Sequence, residues 1–479
     1  MEQDQTILQE ETKEEETKEK ENKMGVVPIP RLLTGMAFPM VISMLVQACY
    51  NVVDSFFVAR IKDDVAAGGS SAGTQALNAV GMAFPIQMLL IAFGTGTCVG
   101  VNAVLSKALG EKDQKTADQA ANNGIFLAGC NFLLFLIVGV FFSEPLIRMQ
   151  GGEGLMLTYG VQYLTIVCAC SFGLYTQFIF ERLLQSTGRT FYSMITQLTG
   201  AVINIVLDPI FIFGLFGMPE MKVAGAALAT VIGQICAAIL AVILNMKKNT
   251  DVHVNLRGFR PNKKIIMKVY QVGVPSIVMQ AIGSVMTSSM NRILSGLNTD
   301  SVAVFTVYFK LQSLFFMPVF GINNGMVPIL AYNYGARKRK RMVQTIKLSM
   351  AYAFLFMMVG FALFELIPES LLRIFDTGDP SLITLGVPAF RIIGFHFLAA
   401  WFSIISSTVF QALGNGVFSL MVSTARQLVV LIPVAYILSK IGGLDLIWWS
   451  FPIAEVMSLC VSAFLLFRIY RKIIKPIPA

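Results

Sequence analysis

The sequence predicts an all-α integral membrane protein with 12 transmembrane helices in two pseudo-symmetric six-helix lobes. Of its 479 residues, 55% are hydrophobic and only 14% are charged, and the mean hydropathy is +0.68. Soluble domains carry about 25% charged residues. The apolar runs are continuous and reach the roughly 20 residues that a helix needs to cross a bilayer. Membrane β-barrels are excluded because their strands alternate over about 10 residues.

The second half of the chain repeats landmarks of the first half, which indicates duplication of one six-helix unit. The matched pairs, all displaced by 225 residues, are Gln87 with Gln312, Gly96 with Gly321, Gly100 with Gly325, and Gly110 with Gly335. The halves differ in their acidic residues. Asp54 and Asp208 lie in apolar segments of the first half, where the second half has Met290 and Ile432. We therefore expect a buried acidic site in the first half only.

The order of apolar and polar segments predicts the domain organisation. Residues 1–24 form a Glu/Lys tract without apolar periodicity, which predicts a disordered cytoplasmic tail. An N-lobe over 25–246, a basic cytoplasmic linker over 247–265 and a C-lobe over 266–479, ending in a cytoplasmic tail, follow. The predicted helices span 32–57, 75–106, 121–142, 156–180, 191–215, 223–246, 266–294, 302–331, 345–366, 383–409, 419–438 and 447–468.

Basic residues concentrate on one side of the predicted membrane. The connection between predicted helices 6 and 7 and the loop Arg337–Arg341 after helix 8 are rich in Lys and Arg. Cytoplasmic loops carry this excess, so we expect a multi-pass protein of the plasma (inner) membrane with both termini in the cytoplasm. The net charge of +9 then reflects topology and contacts with membrane lipids, and we expect no nucleic-acid partner.

Predicted helix 1 carries a polar stripe that ends in a carboxylate. Gln47, Asn51 and Asp54 follow at i, i+4 and i+7 and share one face, with Tyr50 beside them. A carboxylate inside the membrane costs at least a few kcal/mol, so it should face a cavity or polar partners. The competing interpretation is that each Asp, Asp54 near the end of its helix in particular, is simply solvated at the outer interface.

Predicted helix 5 repeats this pattern with Gln197, Asn204 and Asp208, the last two at i and i+4. An Asp that alternates between protonated and ionised forms, or between free and sodium-bound forms, converts the arrival of an ion into a packing change. We therefore predict a cation-coupling site that uses H⁺ or Na⁺ and needs no other cofactor. A Na⁺ ion would take Asp54, Asn204 and Asp208 as ligands.

Three prolines lie inside predicted helices. Pro39 and Pro209 occur in the two helices that carry the aspartates, and Pro275 is the counterpart of Pro39 in helix 7. Each removes a helical hydrogen bond, so we predict helix kinks with two alternative packings at these positions. Prolines are also simply tolerated in membrane helices, and the sequence leaves both interpretations open.

Other polar residues lie in apolar segments without a predicted role. Lys310 and Arg391 either pair with acidic groups, line a substrate cavity or extend towards the interface. In the first half, Glu181 and Arg182 at the end of predicted helix 4 are expected to form an interface ion pair. The remaining polar residues of this kind in the second half are His396 and Glu455.

Several motifs resemble the multidrug and toxic compound extrusion (MATE) transporters, in particular the DinF-like branch that includes the MepA-type pumps. These motifs are FPMVISMLVQACYNVVD at 38–54, NIVLDPIF at 204–211, and the Gly-x-Lys/Arg loops after predicted helices 2 and 8. The resemblance covers about residues 30–470. It implies a MATE-like fold and export of bulky organic, mostly cationic compounds in exchange for H⁺ or Na⁺ by alternating access. It also implies a cation site at Asp54, Asn204, Asp208 and Thr230.

Other functions fit the sequence less well. A lipid-linked saccharide flippase of the same superfamily is the nearest alternative, but such proteins often have fourteen helices and a basic cavity. The loop signature of major facilitators is absent after predicted helix 2, where 108–117 reads ALGEKDQKTA. The chain has two isolated histidines and no phosphate-binding loop, so we expect neither an enzyme nor direct ATP use. We expect a monomer whose partners are small organic cations and membrane lipids.

Overall fold

The structure, a computed structural model, describes residues 22–58, 60–61, 72–374 and 380–478. Within these ranges the chain forms helices and no strand. Ten helices are long and apolar enough to cross a membrane, and two bent helix pairs bring the number of spans to 12. The predicted fold class is confirmed.

The spans are labelled α1 to α12, and most are longer than the sequence predicts. Their bounds are α1 Ile29–Val58, α2 Ala72–Gly110, α3 Gln114–Met149, α4 Gly154–Ala169 with Phe172–Ser186, α5 Thr190–Phe213, α6 Lys222–Lys248, α7 Lys263–Ser295, α8 Thr299–Gly335, α9 Arg339–Leu366, α10 Pro380–Gly394 with Phe397–Ala412, α11 Gly416–Ile447 and α12 Ser450–Ile474. Two short helices, Lys23–Val26 and Pro368–Arg373, lie outside the spans.

The predicted boundaries need three corrections. The tail predicted over 1–24 overlaps the helix Lys23–Val26, in which Met24 is fully buried; the rest of that tail, residues 1–21, lies outside the described residues. The linker predicted over 247–265 is shorter, because α6 ends at Lys248 and α7 begins at Lys263. α4 and α10, predicted as continuous helices, bend by 45° and 53° between their halves. Apolar periodicity does not mark these bends, because both halves of each helix remain apolar.

Three helices also contain π-helical segments, at Val138–Phe142, Ala425–Leu431 and Tyr470–Ile474. A π-helical turn shifts the hydrogen-bond pattern from i−4 to i−5 and occurs frequently at functional sites. The segment in α11 lies in the interior of a membrane span, between Gly416–Thr424 and Ile432–Ile447. The C-terminal half has further irregular points at the bend of α10, at Gly442 and Gly443 inside α11, and at the end of α12.

Buried apolar side chains form two clusters. One lies within residues 58–270, and the other consists mainly of residues 286–477. The start of α1 is an exception, because Ile29, Leu33 and Met36 belong to the second cluster. The first helix thus begins against the second half and carries its polar stripe towards the first half.

Glycine backbones bring helices of the two halves into close contact. A Cβ atom on Gly100 of α2 would lie 2.1 Å from the carbonyl oxygen of Val269 in α7. A Cβ atom on Gly325 of α8 would lie 2.8 Å from the Cα atom of Ala37 in α1. Both distances are shorter than real Cβ contacts. The repeated glycines therefore serve helix packing, as such small residues commonly do in membranes, and we call the α2–α7 and α1–α8 contacts the glycine seam.

The connection between α6 and α7 is packed against the start of α3. Asp118 Oδ1 accepts a hydrogen bond from the His253 backbone N–H at 2.8 Å, and Asn123 Oδ1 accepts one from the Asn262 N–H at 2.9 Å. Val252 of this connection is buried. The segment that joins the halves is therefore attached to the first of them.

Candidate cation site in the first half

α5 carries the most deeply buried of the predicted site residues. Asp208 is 0% exposed and Asn204 is 3% exposed. Because residues four apart share a helical face, Asn204 Nδ2 donates a hydrogen bond to Asp208 Oδ1 at 3.3 Å. The same Nδ2 also donates to Thr230 Oγ1 of α6 at 3.3 Å. The structure thus brings together three of the four residues that the sequence predicts for the cation site.

Asp54 lies near the end of α1, four residues before Val58, and is half-buried. Its carboxyl group is close enough to that of Asp208 for the two to interact electrostatically. Its Oδ1 atom is fully buried. The alternative interpretation, that both carboxylates are solvated at the outer interface, is therefore wrong for Asp208 and for one oxygen of Asp54.

Two further residues extend this cluster onto α4 and α2. Tyr163, 3% exposed, hydrogen-bonds through its hydroxyl to the Gln87 side chain. Tyr163 and Tyr50 both interact electrostatically with Asp54 and Asp208. The sequence indicated Tyr50, but it marked Gln87 only as a member of the repeat.

Three oxygens of the cluster are buried and have no hydrogen-bond donor within the described parts of the chain: Asp54 Oδ1, Asn204 Oδ1 and Asp208 Oδ2. All three accept hydrogen bonds when the carboxyl groups are ionised. A buried acceptor without a partner costs about 1–3 kcal/mol. A proton on a carboxylate, or a hard cation with oxygen ligands, satisfies such atoms. The arrangement is therefore suited to binding a small cation.

Comparison with known proteins identifies the family. Residues 39–210 and 275–437, one segment in each half, match the MatE family model. The chain belongs to the MatE family. The predicted resemblance to MATE transporters of the MepA type is confirmed by relatives that align along almost the whole of this transporter.

Two relatives are the multidrug export proteins MepA of Staphylococcus aureus (strain bovine RF122 / ET3-1) and of Staphylococcus haemolyticus (strain JCSC1435). The first is 26% identical over 440 residues, covering 92% of this transporter and 93% of the relative. The second is 25% identical over 437 residues, covering 91% and 93%. A solved structure of an outward-facing multidrug resistance MATE family transporter of the MOP superfamily superposes with a TM-score of 0.85 and 25% identity, covering 95% of this chain and 99% of that chain.

Gln197, predicted to extend the polar stripe of α5, belongs to a separate polar group of the transporter. Its Nε2 donates to Glu181 Oε2 at 2.8 Å. Glu181 Oε1 accepts two further bonds, from Thr196 Oγ1 at 2.8 Å and from Gln177 Nε2 at 2.9 Å. No hydrogen bond between Gln197 and the Asp208 cluster is present among the described residues, because Gln197 lies two turns from Asn204 and three turns from Asp208 along α5.

The ion pair predicted between Glu181 and Arg182 does not form. Neighbouring residues of a helix point in different directions, so Glu181 faces α5 while Arg182 faces the second half. Arg182 Nη1 donates to Asn324 Oδ1 of α8 at 3.2 Å. Arg182 therefore links α4 to α8.

The other predicted residues of the α1 stripe are Gln47, Tyr50 and Asn51. Gln47 and Tyr50 are half-buried. The side chain of Asn51 lies outside the described residues. The polar stripe is thus supported at Tyr50 and Asp54, and its other members stay predictions.

The three prolines predicted to kink helices lie inside α1, α5 and α7, each of which continues through its proline. Pro39 and Pro275 are buried, and Pro209 is half-buried. The sharp bends of the transporter lie instead in α4 and α10. A switching role of Pro39, Pro209 and Pro275 stays a prediction.

The expectation that buried acidic groups are confined to the first half is wrong. Glu455 of α12 is 4% exposed and lies next to Arg426 of α11, which the sequence did not single out. Lys310 and Arg391 are exposed, and Arg391 interacts electrostatically with Glu365 of α9. The second half thus has a buried charged pair of its own.

Proposed function

We propose that this MATE transporter is a secondary active multidrug antiporter that exports organic, mostly cationic compounds in exchange for H⁺ or Na⁺ by alternating access. The observation that carries the proposal is the buried cluster of Asp54, Asn204, Asp208 and Thr230 with its three oxygens that lack donors. The MepA relatives, named as multidrug export proteins, support the substrate class.

The coupling step follows from electrostatics. Two carboxylates that interact electrostatically in a low-dielectric interior repel each other when both are ionised. A proton or Na⁺ that arrives between Asp54 and Asp208 removes this repulsion and draws α1 and α5 together. The Asn204 amide offers either a donor, its Nδ2, or an oxygen ligand, its Oδ1, as the state of the site requires. The Thr230 hydroxyl holds this amide against α6. Release of the cation on the other side reverses this packing.

The larger movement involves the two halves as units. We propose that the lobes 25–246 and 266–479 rotate about the segment that joins them, so that the organic cation and the coupling ion occupy the transporter alternately. The tight contacts of the glycine seam support a state in which the halves are closed on one side. The excess of Lys and Arg in the loops supports a cytoplasmic location for that side and for both termini in this proposal, with a monomer as the transporting unit.

Neutralising the two carboxylates tests the proposal. Asp54→Asn and Asp208→Asn keep the shape of each side chain but cannot bind or release a coupling cation. In inside-out vesicles, ethidium transport by either variant is expected to lose its response to an imposed proton or sodium gradient. Asp300→Asn is the matched control, because Asp300 is an exposed residue of the first turn of α8, and it should transport like the unchanged protein.

Imposing the two gradients separately identifies the ion. The gradient that drives ethidium in the unchanged protein, and fails to do so in the Asp208→Asn variant, belongs to the coupling ion. Transport of ethidium by the unchanged protein that ignores both gradients would reject antiport. Unchanged coupling in both Asn variants would remove the assigned site.

A further inference from the structure

The second half contains a buried ion pair within its helical bundle. Arg426 Nη1 donates to Glu455 Oε2 at 3.2 Å, and the side chains of Arg426 and Glu455 are 27% and 5% exposed. The other oxygen, Glu455 Oε1, is buried and has no donor among the described residues. The carboxylate therefore has one cation, supplied by the chain, and one unpaired acceptor.

A chain of hydrogen bonds lies beside this pair. His396 Nδ1 bonds to the Ile393 carbonyl oxygen at 2.7 Å, and His396 Nε2 lies 3.4 Å from the Tyr308 hydroxyl and 3.3 Å from Gln312 Nε2. Tyr308 interacts electrostatically with both members of the ion pair. The titratable and charged groups that face one another from α8, α10, α11 and α12 are Tyr308, His396, Arg426 and Glu455.

Two irregular points of the second half coincide with these residues. His396 lies at the bend between the halves of α10, and Arg426 lies in the π-helical segment of α11. Breaks and π-turns that carry polar residues inside membrane helices mark binding sites in transporters. The helical backbone is thus interrupted where the charges are.

The internal repeat relates this group to the cation site of the first half. Each residue of the following pairs is separated from its partner by 225 residues, the displacement that relates Gln87 to Gln312: Thr230 and Glu455, Ser171 and His396, and Ala201 and Arg426. Ser171 lies at the bend of α4, as His396 does at the bend of α10. At this displacement Glu455 corresponds to Thr230 of the cation site.

We propose that the group formed by Glu455, His396, Tyr308 and Gln312 is a second cation site, in which the guanidinium of Arg426 takes the place of the coupling cation. This inference rests on the proposed function and adds to it. The first half binds and releases its cation, whereas the cation of the second half is the Arg426 guanidinium, which is covalently attached to the chain. Coupling is therefore confined to the first half, and removing the Arg426 side chain opens a site for H⁺ or Na⁺ at Glu455.

The number of cations exchanged per drug molecule tests this proposal in the working transporter. Proteoliposomes with ethidium and an opposing ion gradient report this stoichiometry from the gradient at which net flux stops. Arg426→Ala is expected to raise it by one cation per drug, and Arg426→Ala with Glu455→Gln should restore the original value. If the ion pair is only structural, Glu455 of the Arg426→Ala protein binds a proton and does not release it. The stoichiometry then stays unchanged. That outcome would overturn the proposal.

A second measurement separates this proposal from the first. In purified protein carrying Asp54→Asn and Asp208→Asn, ethidium binding should release neither protons nor ²²Na⁺. Adding Arg426→Ala, or Arg426→Gln if the alanine variant does not fold, should restore a cation release that Glu455→Gln abolishes. All three tryptophans, Trp401, Trp448 and Trp449, lie in the second half, so their emission reports its folding directly.

The outcomes of this measurement distinguish the two ideas. Cation release that persists in the Asp54→Asn, Asp208→Asn protein contradicts the proposed function but not the second site. Suppose that the unchanged protein releases a cation, but folded proteins that carry Asp54→Asn and Asp208→Asn together with Arg426→Ala or Arg426→Gln release none. This result overturns the second site alone.

Discussion

At the scale of single residues, the cation site depends on one spacing within α5 and on partners from other helices. Asn204 and Asp208 share a face because they are four residues apart, and their hydrogen bond follows directly. Thr230 was assigned through family resemblance, and the structure places its hydroxyl 3.3 Å from Asn204 Nδ2. Gln197 shows the limit of such reasoning, because a residue on the same helix bonds to Glu181 instead.

Thr230→Val tests the contribution of the hydroxyl. The side chain keeps its shape, but Asn204 loses an acceptor that holds its amide in the site. We expect the affinity for the coupling cation to fall about tenfold, which corresponds to a hydrogen bond of about 1.4 kcal/mol. The measurement is the ion concentration that drives half-maximal ethidium transport.

Thr408→Val is the matched control for this change. Thr408 of α10 is equally buried at 7%, but among the described residues its hydroxyl donates only to the Ile404 carbonyl oxygen of its own helix, at 3.1 Å. The control should keep the original ion dependence. An equal loss in both variants would assign the effect to packing rather than to the site.

At the scale of helices, composition and apolar length identify all twelve spans, but they do not show the breaks. The predicted helices 156–180 and 383–409 run through positions where α4 and α10 bend by 45° and 53°. The bends lie between residues that suit a membrane helix on both sides, so no change in hydropathy marks them. Their positions, near Ser171 and His396, became visible only through the packing of the neighbouring helices.

Gly100→Ala tests the close contact between α2 and α7. The added methyl group would lie 2.1 Å from the Val269 carbonyl oxygen, so one helix must move. We expect a loss of stability of about 1–3 kcal/mol, as for other overpacked positions, measured by thermal unfolding in detergent.

Gly129→Ala provides the comparison for the seam. Gly129 of α3 is exposed, and a Cβ atom there would meet no heavy atom within 4 Å. This change should be neutral or slightly stabilising, because alanine favours the helix over glycine by about 1 kcal/mol. If Gly100→Ala were as harmless, the two helices would not be in the contact described.

At the scale of the whole molecule, the two halves meet through the glycine seam and through polar contacts between helices of different halves. Arg182 of α4 and Asn324 of α8 form such a contact at 3.2 Å. Any movement that parts the halves on this side must break it. A contact that is present in one state and absent from the other shifts the equilibrium towards the first state by the free energy of that contact.

Asn324→Ala is therefore expected to favour the state in which the halves separate at this seam. A hydrogen bond to a charged group contributes about 1.5–3 kcal/mol, enough for a clear change in populations. Spin labels at Lys115 and Lys340, exposed residues at the starts of α3 and α9, should show a larger fraction of long distances.

Asn415→Ala serves as the control for this shift. Its side chain donates to the Leu413 carbonyl oxygen within one loop of the second half, at 3.1 Å, so it does not connect the halves. Unchanged distances in the Asn324→Ala protein would mean that the Arg182 contact does not bias the movement.

The sequence by itself determined the membrane class, the duplicated six-helix unit, and the pairing of Asn204 with Asp208. These features depend on composition, on a fixed repeat distance and on the 3.6-residue turn, all of which can be read along one chain. The contribution of Tyr163 and Gln87, the diversion of Gln197 to Glu181 and the pairing of Arg426 with Glu455 were decided by the tertiary structure alone. Such contacts join helices far apart in the chain, and only their packing determines which polar side chains meet where water is excluded.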